Sequence, residues 1–212
     1  VVFVLFASCK DKPTKIVAET IAVKTTTDSD ASLAMTQMIA PYKSVLDEKM
    51  NVPVGICVAT MDVGRPESLL SNFVCDAMLK KANEFMPTDF SLTNVGGLRK
   101  SISQGEVTLR TVYEVMPFDN RLVLLDLSGH DVLALCDAIA SVGGEGVSGI
   151  TFGIANGRAV DVKIAGKAVD KDHVYRLATN DYLSFGNDKM VPLVNNLKIY
   201  DYLVWIFENI HI

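Results

Sequence analysis

The segment SLTNVGGLRKSI, residues 91–102, places an asparagine, two glycines and an arginine between two strand-like stretches. The chain turns on Gly96-Gly97 and presents Arg99 just beyond the turn. A guanidinium so placed offers fixed, charge-assisted donors suited to a phosphate or carboxylate, although most arginines simply sit on a solvated face. Arg65, in MDVGRPESLL, is a second such donor. Two aromatic residues stand beside polar loops: Phe118 after Pro117, and Tyr182 in NDYLSFGND, which ends on Asp188. Phe118 on its own reads first as a core aromatic. Asn72 and Asp76 are four apart and share one helical face. The three histidines, His130, His173 and His211, are scattered and stand near no carboxylate cluster. No paired nucleophile and base is visible, and the spacings argue against a metal site built from this chain.

These residues need elements to position them. Residues 67–85 form the clearest helix, with Leu69, Leu70, Phe73, Val74, Ala77 and Met78 at the 3.6-residue period. Residues 33–50 carry a weaker helical face interrupted by Pro41. Strands are expected at 54–60, at FSLTN running into the glycine turn, at 121–129, 147–154, 159–166 and 174–183. An Asn156-Gly157 turn separates two of them. Residues 108–117 read as a helix or turn, 130–140 as a helix capped near Ser128, and 196–210 as an amphipathic helix. Mixed strands and helices in this order give a single α/β or α+β domain.

Composition agrees. The 212 residues, 49% of them hydrophobic, suffice for one sizeable core or two small domains. A net charge of -5 without a basic stripe argues against DNA or RNA as a partner, yet leaves room for a local arginine site for one phosphate. The start, VVFVLFASCKDKP, is apolar and too short to span a bilayer. It reads as the tail of a secretory signal, residues 1–9, with Phe6-Ala7-Ser8-Cys9 resembling a bacterial lipobox and Cys9 as the lipidated residue. An ordinary strand is the alternative. Residues 10–31 read as a tether and 32–212 as one domain. That arrangement implies a periplasmic or outer-membrane lipoprotein, touching the membrane only through its lipid. Cys57, Cys75 and Cys136 lie in apolar segments and read as buried small hydrophobes.

Four segments together, SNFVCDAML, LTNVGGLR, YEVMPFDNRLVLLDLSG and YRLATNDYLSFGND, resemble in order the C-terminal domain of the 5'-nucleotidase / UDP-sugar hydrolase family, over about residues 33 to 210. The resemblance implies a four-layer α/β/β/α domain that binds the nucleoside part of a substrate, while a metallophosphoesterase domain with two divalent metal ions performs the hydrolysis. The chain lacks that domain's metal-binding motifs, so the resemblance implies a substrate domain standing alone, with no catalytic residue or cofactor of its own and a separate metallophosphoesterase as partner. Phe118 and Tyr182 correspond to a base-binding clamp, with Tyr182 standing where the family usually has Phe. Asp188 corresponds to the ribose-binding aspartate, Asn94 to a base or loop contact, and Arg99 and Arg65 to arginines on the phosphate side. Asn72, Asp76, Gly97 and Asn187 correspond to supporting positions. Val95 replaces a family glycine, and Phe185-Gly186-Asn187-Asp188 replaces NGGD. A non-catalytic extracytoplasmic nucleoside-binding protein, or a structural protein reusing the fold, is the alternative.

Overall fold

The computed structural model describes residues 30–194. The expected lipobox at Cys9, most of the tether and the helix at 196–210 lie outside the described residues. The chain divides into two compact units, Val1–Val45 and Leu46–Ile212. Of the first, only the leading part of helix α1 (Asp30–Met50) is described. That helix continues through Pro41, and Leu33, Met38 and Tyr42 are exposed on it. Everything below concerns the second unit.

There the order is β1 (Pro53–Cys57), α2 (Leu69–Asn83), β2 (Phe90–Thr93), β3 (Gly105–Thr108), α3 (Leu109–Val115), β4 (Leu122–Ser128), α4 (Gly129–Ser141), β5 (Gly146–Ser148), β6 (Ile150–Ala155), β7 (Arg158–Ile164), β8 (Lys167–Ala168), β9 (Val174–Asn180) and the short α5 (Asp181–Ser184). The central sheet runs β4-β9-β2-β5, with β9 antiparallel to β4 and parallel to β2. Small sheets β1-β3 and β6-β7-β8 complete the fold. The result is the expected mixed α/β architecture, with helices and sheet layers alternating.

The two-residue period of the strands divides the core between the sheet's faces. Leu122, Leu124 and Ala178 pack with Leu70, Val74 and Met78 of α2. Leu125, Leu127 and Leu177 pack on the other side with Val132, Leu135 and Ile139 of α4. Each such fully buried side chain contributes roughly 1.5–3 kcal/mol of transfer free energy. The helices start where side chains satisfy their first amide groups. Ser68 and Ser71 form a reciprocal capping box on α2, and Ser128 Oγ accepts from Asp131 N at 3.2 Å to open α4.

The strand expected at 54–60 ends at Cys57, and two others are interrupted by a single residue. The strand expected at 147–154 breaks at Gly149, whose φ of +78° only glycine adopts without strain. Its halves, β5 and β6, enter different sheets. The strand expected at 174–183 ends at Asn180, because the Asn180 side chain accepts from Leu183 N at 2.8 Å and opens a helical turn. Tyr182 therefore lies on α5, not on a strand.

Candidate functional site

Strand β2 delivers the chain into the loop that holds Asn94 and Arg99. Asn94 precedes a 3₁₀ turn over Val95–Gly97, closed by Gly97 N donating to Asn94 O at 2.9 Å. The Asn94 side chain leaves that turn uncapped and reaches across the fold instead. Its Nδ2 donates to Asp188 Oδ2 at 2.9 Å, and its Oδ1 accepts from Asn180 Nδ2 at 3.2 Å. A Cβ on Gly97 would stand 3.0 Å from Asn94 Oδ1, so the glycine keeps room for this amide.

The segment after β9 supplies the other half. Tyr182 is half-exposed on α5, and its hydroxyl donates to Asp188 Oδ1 at 3.1 Å. Asn187 Nδ2 donates to Tyr182 O at 2.7 Å. Asp188 itself takes the left-handed conformation, φ +51°. Each of its carboxylate oxygens thus has one donor already in place, with lone pairs left for a ligand's hydroxyl groups. Accepting this bond, and carrying negative charge beside the phenol, Asp188 holds the Tyr182 pKa above its ordinary value. The phenol therefore remains a donor throughout the neutral range.

Arg99 is anchored by its backbone, N donating to Val115 O at 2.7 Å. Its Nη1 donates to Gly96 O at 3.1 Å, and its guanidinium carbon lies 5.8 Å from the centre of the Phe118 ring, within cation–π range. Phe118 is 44% exposed, so it is not the core aromatic that its type alone suggests. Phe185 is 71% exposed, and its ring is not packed into a closed site.

Arg65 is engaged by a carboxylate. Its Nη2 pairs with Glu145 Oε1, and its Nε donates to Gly144 O at 2.8 Å. Glu145 is buried and its second oxygen accepts from Val95 N. Sequence reading passed over Glu145. The available signal was a lone carboxylate among glycines, Gly143-Gly144-Glu145-Gly146, between an apolar helix and a strand. Asn72 and Asp76 line a separate apolar groove with Ile56, Val58, Leu69 and Phe73. There Asn72 Nδ2 donates to Glu67 Oε2 at 3.4 Å and Asp76 Oδ1 accepts from Ser148 Oγ at 2.6 Å.

Among the described residues no group of three or more His, Cys, Asp and Glu side chains is placed to hold a metal ion. Nor is any described helix long and apolar enough to cross a membrane. Cys57, Cys75 and Cys136 are free and buried, and burial pushes the Cys75 and Cys136 thiols up to about 12. They fill core space and are not nucleophiles at neutral pH.

A mixed α/β domain with polar loops gathered around one aspartate matches a known class. The family described as "5'-nucleotidase, C-terminal domain" matches residues 50–195, and the chain belongs to that family. It is 35% identical over 173 residues to the trifunctional nucleotide phosphoesterase protein YfkN of Bacillus subtilis, covering 72% of this chain and 12% of that protein. It is 28% identical over 165 residues to a 5'-nucleotidase of Vibrio vulnificus, covering 73% of this chain and 29% of that one. The crystal structure of a 5'-nucleotidase precursor from Thermus thermophilus superposes with a TM-score of 0.72 at 27% identity, over 84% of this chain and 38% of that chain. The chain thus spans well under half the length of each of these relatives.

Proposed function

We propose that this domain binds a nucleoside or nucleotide and presents it to a metallophosphoesterase that hydrolyses its phosphoester. The observation that carries the reading is Asp188, a carboxylate held from both sides by Asn94 and Tyr182 on a domain of the 5'-nucleotidase family. In this reading Asp188 accepts from the vicinal hydroxyls of a ribose, which suit a carboxylate with lone pairs in reserve. Phe118 and Tyr182, both half-exposed, supply faces for the base. Stacking of that kind contributes roughly 1–3 kcal/mol per base and demands little of base identity. Arg99, braced over Phe118, offers its remaining donors to the phosphate side. Arg65, paired with Glu145 through Nη2 but with its side chain 42% exposed, is the second arginine proposed for the phosphate side.

The domain's contribution is orientation. The chemistry belongs to a phosphoesterase carrying two divalent metal ions, where a metal-activated water would attack phosphorus. The names of the relatives, a nucleotide phosphoesterase and 5'-nucleotidases, support this division of labour. The lipobox-like start supports an extracytoplasmic place for the domain, with Cys9 as lipid anchor.

Calorimetric titration of the metal-free protein with adenosine, AMP and UDP-glucose tests the reading. Saturable binding of at least one, weakened in Phe118→Ala and Tyr182→Ala, is the expected result. Binding that neither substitution changes would remove the aromatic clamp from the proposal, and no binding of any of the three would remove the nucleoside site.

A further inference from the structure

The clearest unexplained group is Glu145. Its side chain is 1% exposed, whereas that of its partner Arg65 is 42% exposed. Withdrawing a carboxylate from water is costly unless it is paired and fully hydrogen-bonded. For stability alone an apolar residue of similar volume often serves as well, so the carboxylate calls for another reason. Its two oxygens are divided between two jobs. Oε1 takes the Arg65 guanidinium, which also grips the Gly144 carbonyl through Nε at 2.8 Å. Oε2 takes the amide hydrogen of Val95.

That amide belongs to the peptide joining Asn94 to Val95. Holding its plane sets the direction in which Asn94 leaves β2, and hence where the Asn94 side chain points. Asn94 in turn bridges Asn180 and Asp188. A continuous path therefore runs from Arg65 through Glu145, the Asn94–Val95 peptide and the Asn94 amide to Asp188 and the Tyr182 hydroxyl.

We propose that Glu145 is a positioning residue of the site, with Arg65 as its counter-ion, acting through Val95 N–H on Asn94 and so on Asp188. The inference rests on the nucleoside-binding reading for its consequence, and on the hydrogen-bond path alone for its mechanism. Because the path reaches the proposed ribose carboxylate before it touches the Tyr182 hydroxyl, and does not include Phe118, Glu145 governs recognition of the sugar more than stacking of the base.

The test compares adenosine with adenine, which lacks the sugar, on wild type, Glu145→Gln and Glu145→Ala by calorimetry. The side-chain amide signals of Asn94 are followed by ¹⁵N NMR in the same proteins. Glu145→Ala is expected to lower adenosine affinity about tenfold, the scale of a buried donor left unsatisfied, with adenine affinity nearly unchanged. Glu145→Gln keeps an acceptor for Val95 but loses the charge facing Arg65, and its adenosine-to-adenine ratio is expected to fall between the two. The Asn94 amide signals are expected to move in both variants.

A merely structural role would lower the melting temperature or weaken both ligands alike while the ratio stayed at the wild-type value, and that outcome overturns the proposal. If Glu145→Ala does not fold, Glu145→Gln decides: an unchanged ratio with unmoved Asn94 signals overturns it. If wild type binds neither ligand, the nucleoside reading falls and the NMR signals alone decide. Displaced Asn94 signals would then uphold the positioning path, and undisturbed ones would refute it.

Discussion

Asn94→Ala is the substitution whose consequence the structure specifies most fully. The Asn94 side chain is the acceptor for Asn180 Nδ2, at 3.2 Å, and Asn180 is 1% exposed. Alanine removes that acceptor, and the surrounding packing leaves water little access to replace it. A buried donor so stranded costs about 1–3 kcal/mol. For a domain of this size each 1 kcal/mol shifts the melting temperature by about 2–4 °C, so a mid-range loss of about 2 kcal/mol lowers it by about 4–8 °C. The second bond, to Asp188 at 2.9 Å, reaches an exposed carboxylate and adds little to that loss. Thermal unfolding followed by circular dichroism, with denaturant unfolding as a check on two-state behaviour, measures the shift. Asn94→Asp sharpens the test. It keeps an oxygen for Asn180 but sets a second carboxylate against Asp188, a like-charge contact that raises the pKa of the pair. Its deficit should be present at neutral pH and fade as the pH falls through the raised value of the pair, to be gone by about pH 4, where free carboxyls protonate. An Asn94→Ala protein that melts within about 1 °C of wild type would refute the reasoning that this amide is the buried link between β2 and the segment after β9.

Other expectations concern the frame. Ser68→Ala opens the capping box at the start of α2 and should cost about 1 kcal/mol in denaturant unfolding, with Ser68→Asp recovering most of it. Leu125→Ala empties a wholly buried position between the central sheet and α4 and should cost about 2–5 kcal/mol by the same measurement. Cys75 and Cys136, their thiols pushed up to about 12 by burial, should resist a thiol-directed disulfide reagent at pH ~8 in the native protein and react promptly in denaturant. Asp137 accepts from Ala159 N at 2.9 Å and from Arg158 at 2.8 Å, which lowers its pKa below the ordinary 3.8. The stabilisation is therefore present above that value and lost as the pH falls through the lower folded one. Asp137→Asn should accordingly be less stable than wild type at neutral pH, with the gap closing in strong acid.

The frame was largely legible because its signals are local. The apolar period of residues 67–85 became α2, and the serine before residues 130–140 did cap α4. The apolar run in RLVLLDLSG became a strand buried on both faces. Where local reading overran, a single side chain was the cause: Asn180 bends the chain from strand into helix beneath Tyr182, and the left-handed Gly149 divides one expected strand between two sheets. Phe118 shows the limit of residue type as a guide. Its type suggests the core, yet it stands at the surface under a guanidinium.

The arginines mark the boundary most clearly. Nothing near Arg65 in the chain distinguishes it from Arg99; both follow a glycine within a few residues and both could serve an anion. Glu145, 80 positions away, captures the first. Among the described residues the Arg99 guanidinium meets a carbonyl and a ring and no carboxylate. Asn94 finds Asp188 across 94 positions in the same manner. Periodicity, capping and burial are written within a turn or two of each residue, since helix and strand geometry act over that range. Which charge neutralises which, and which amide steadies which carboxylate, depends on segments brought together by the folded sheet, and the central sheet's order β4-β9-β2-β5 is what brings the ends of β2 and β9 side by side.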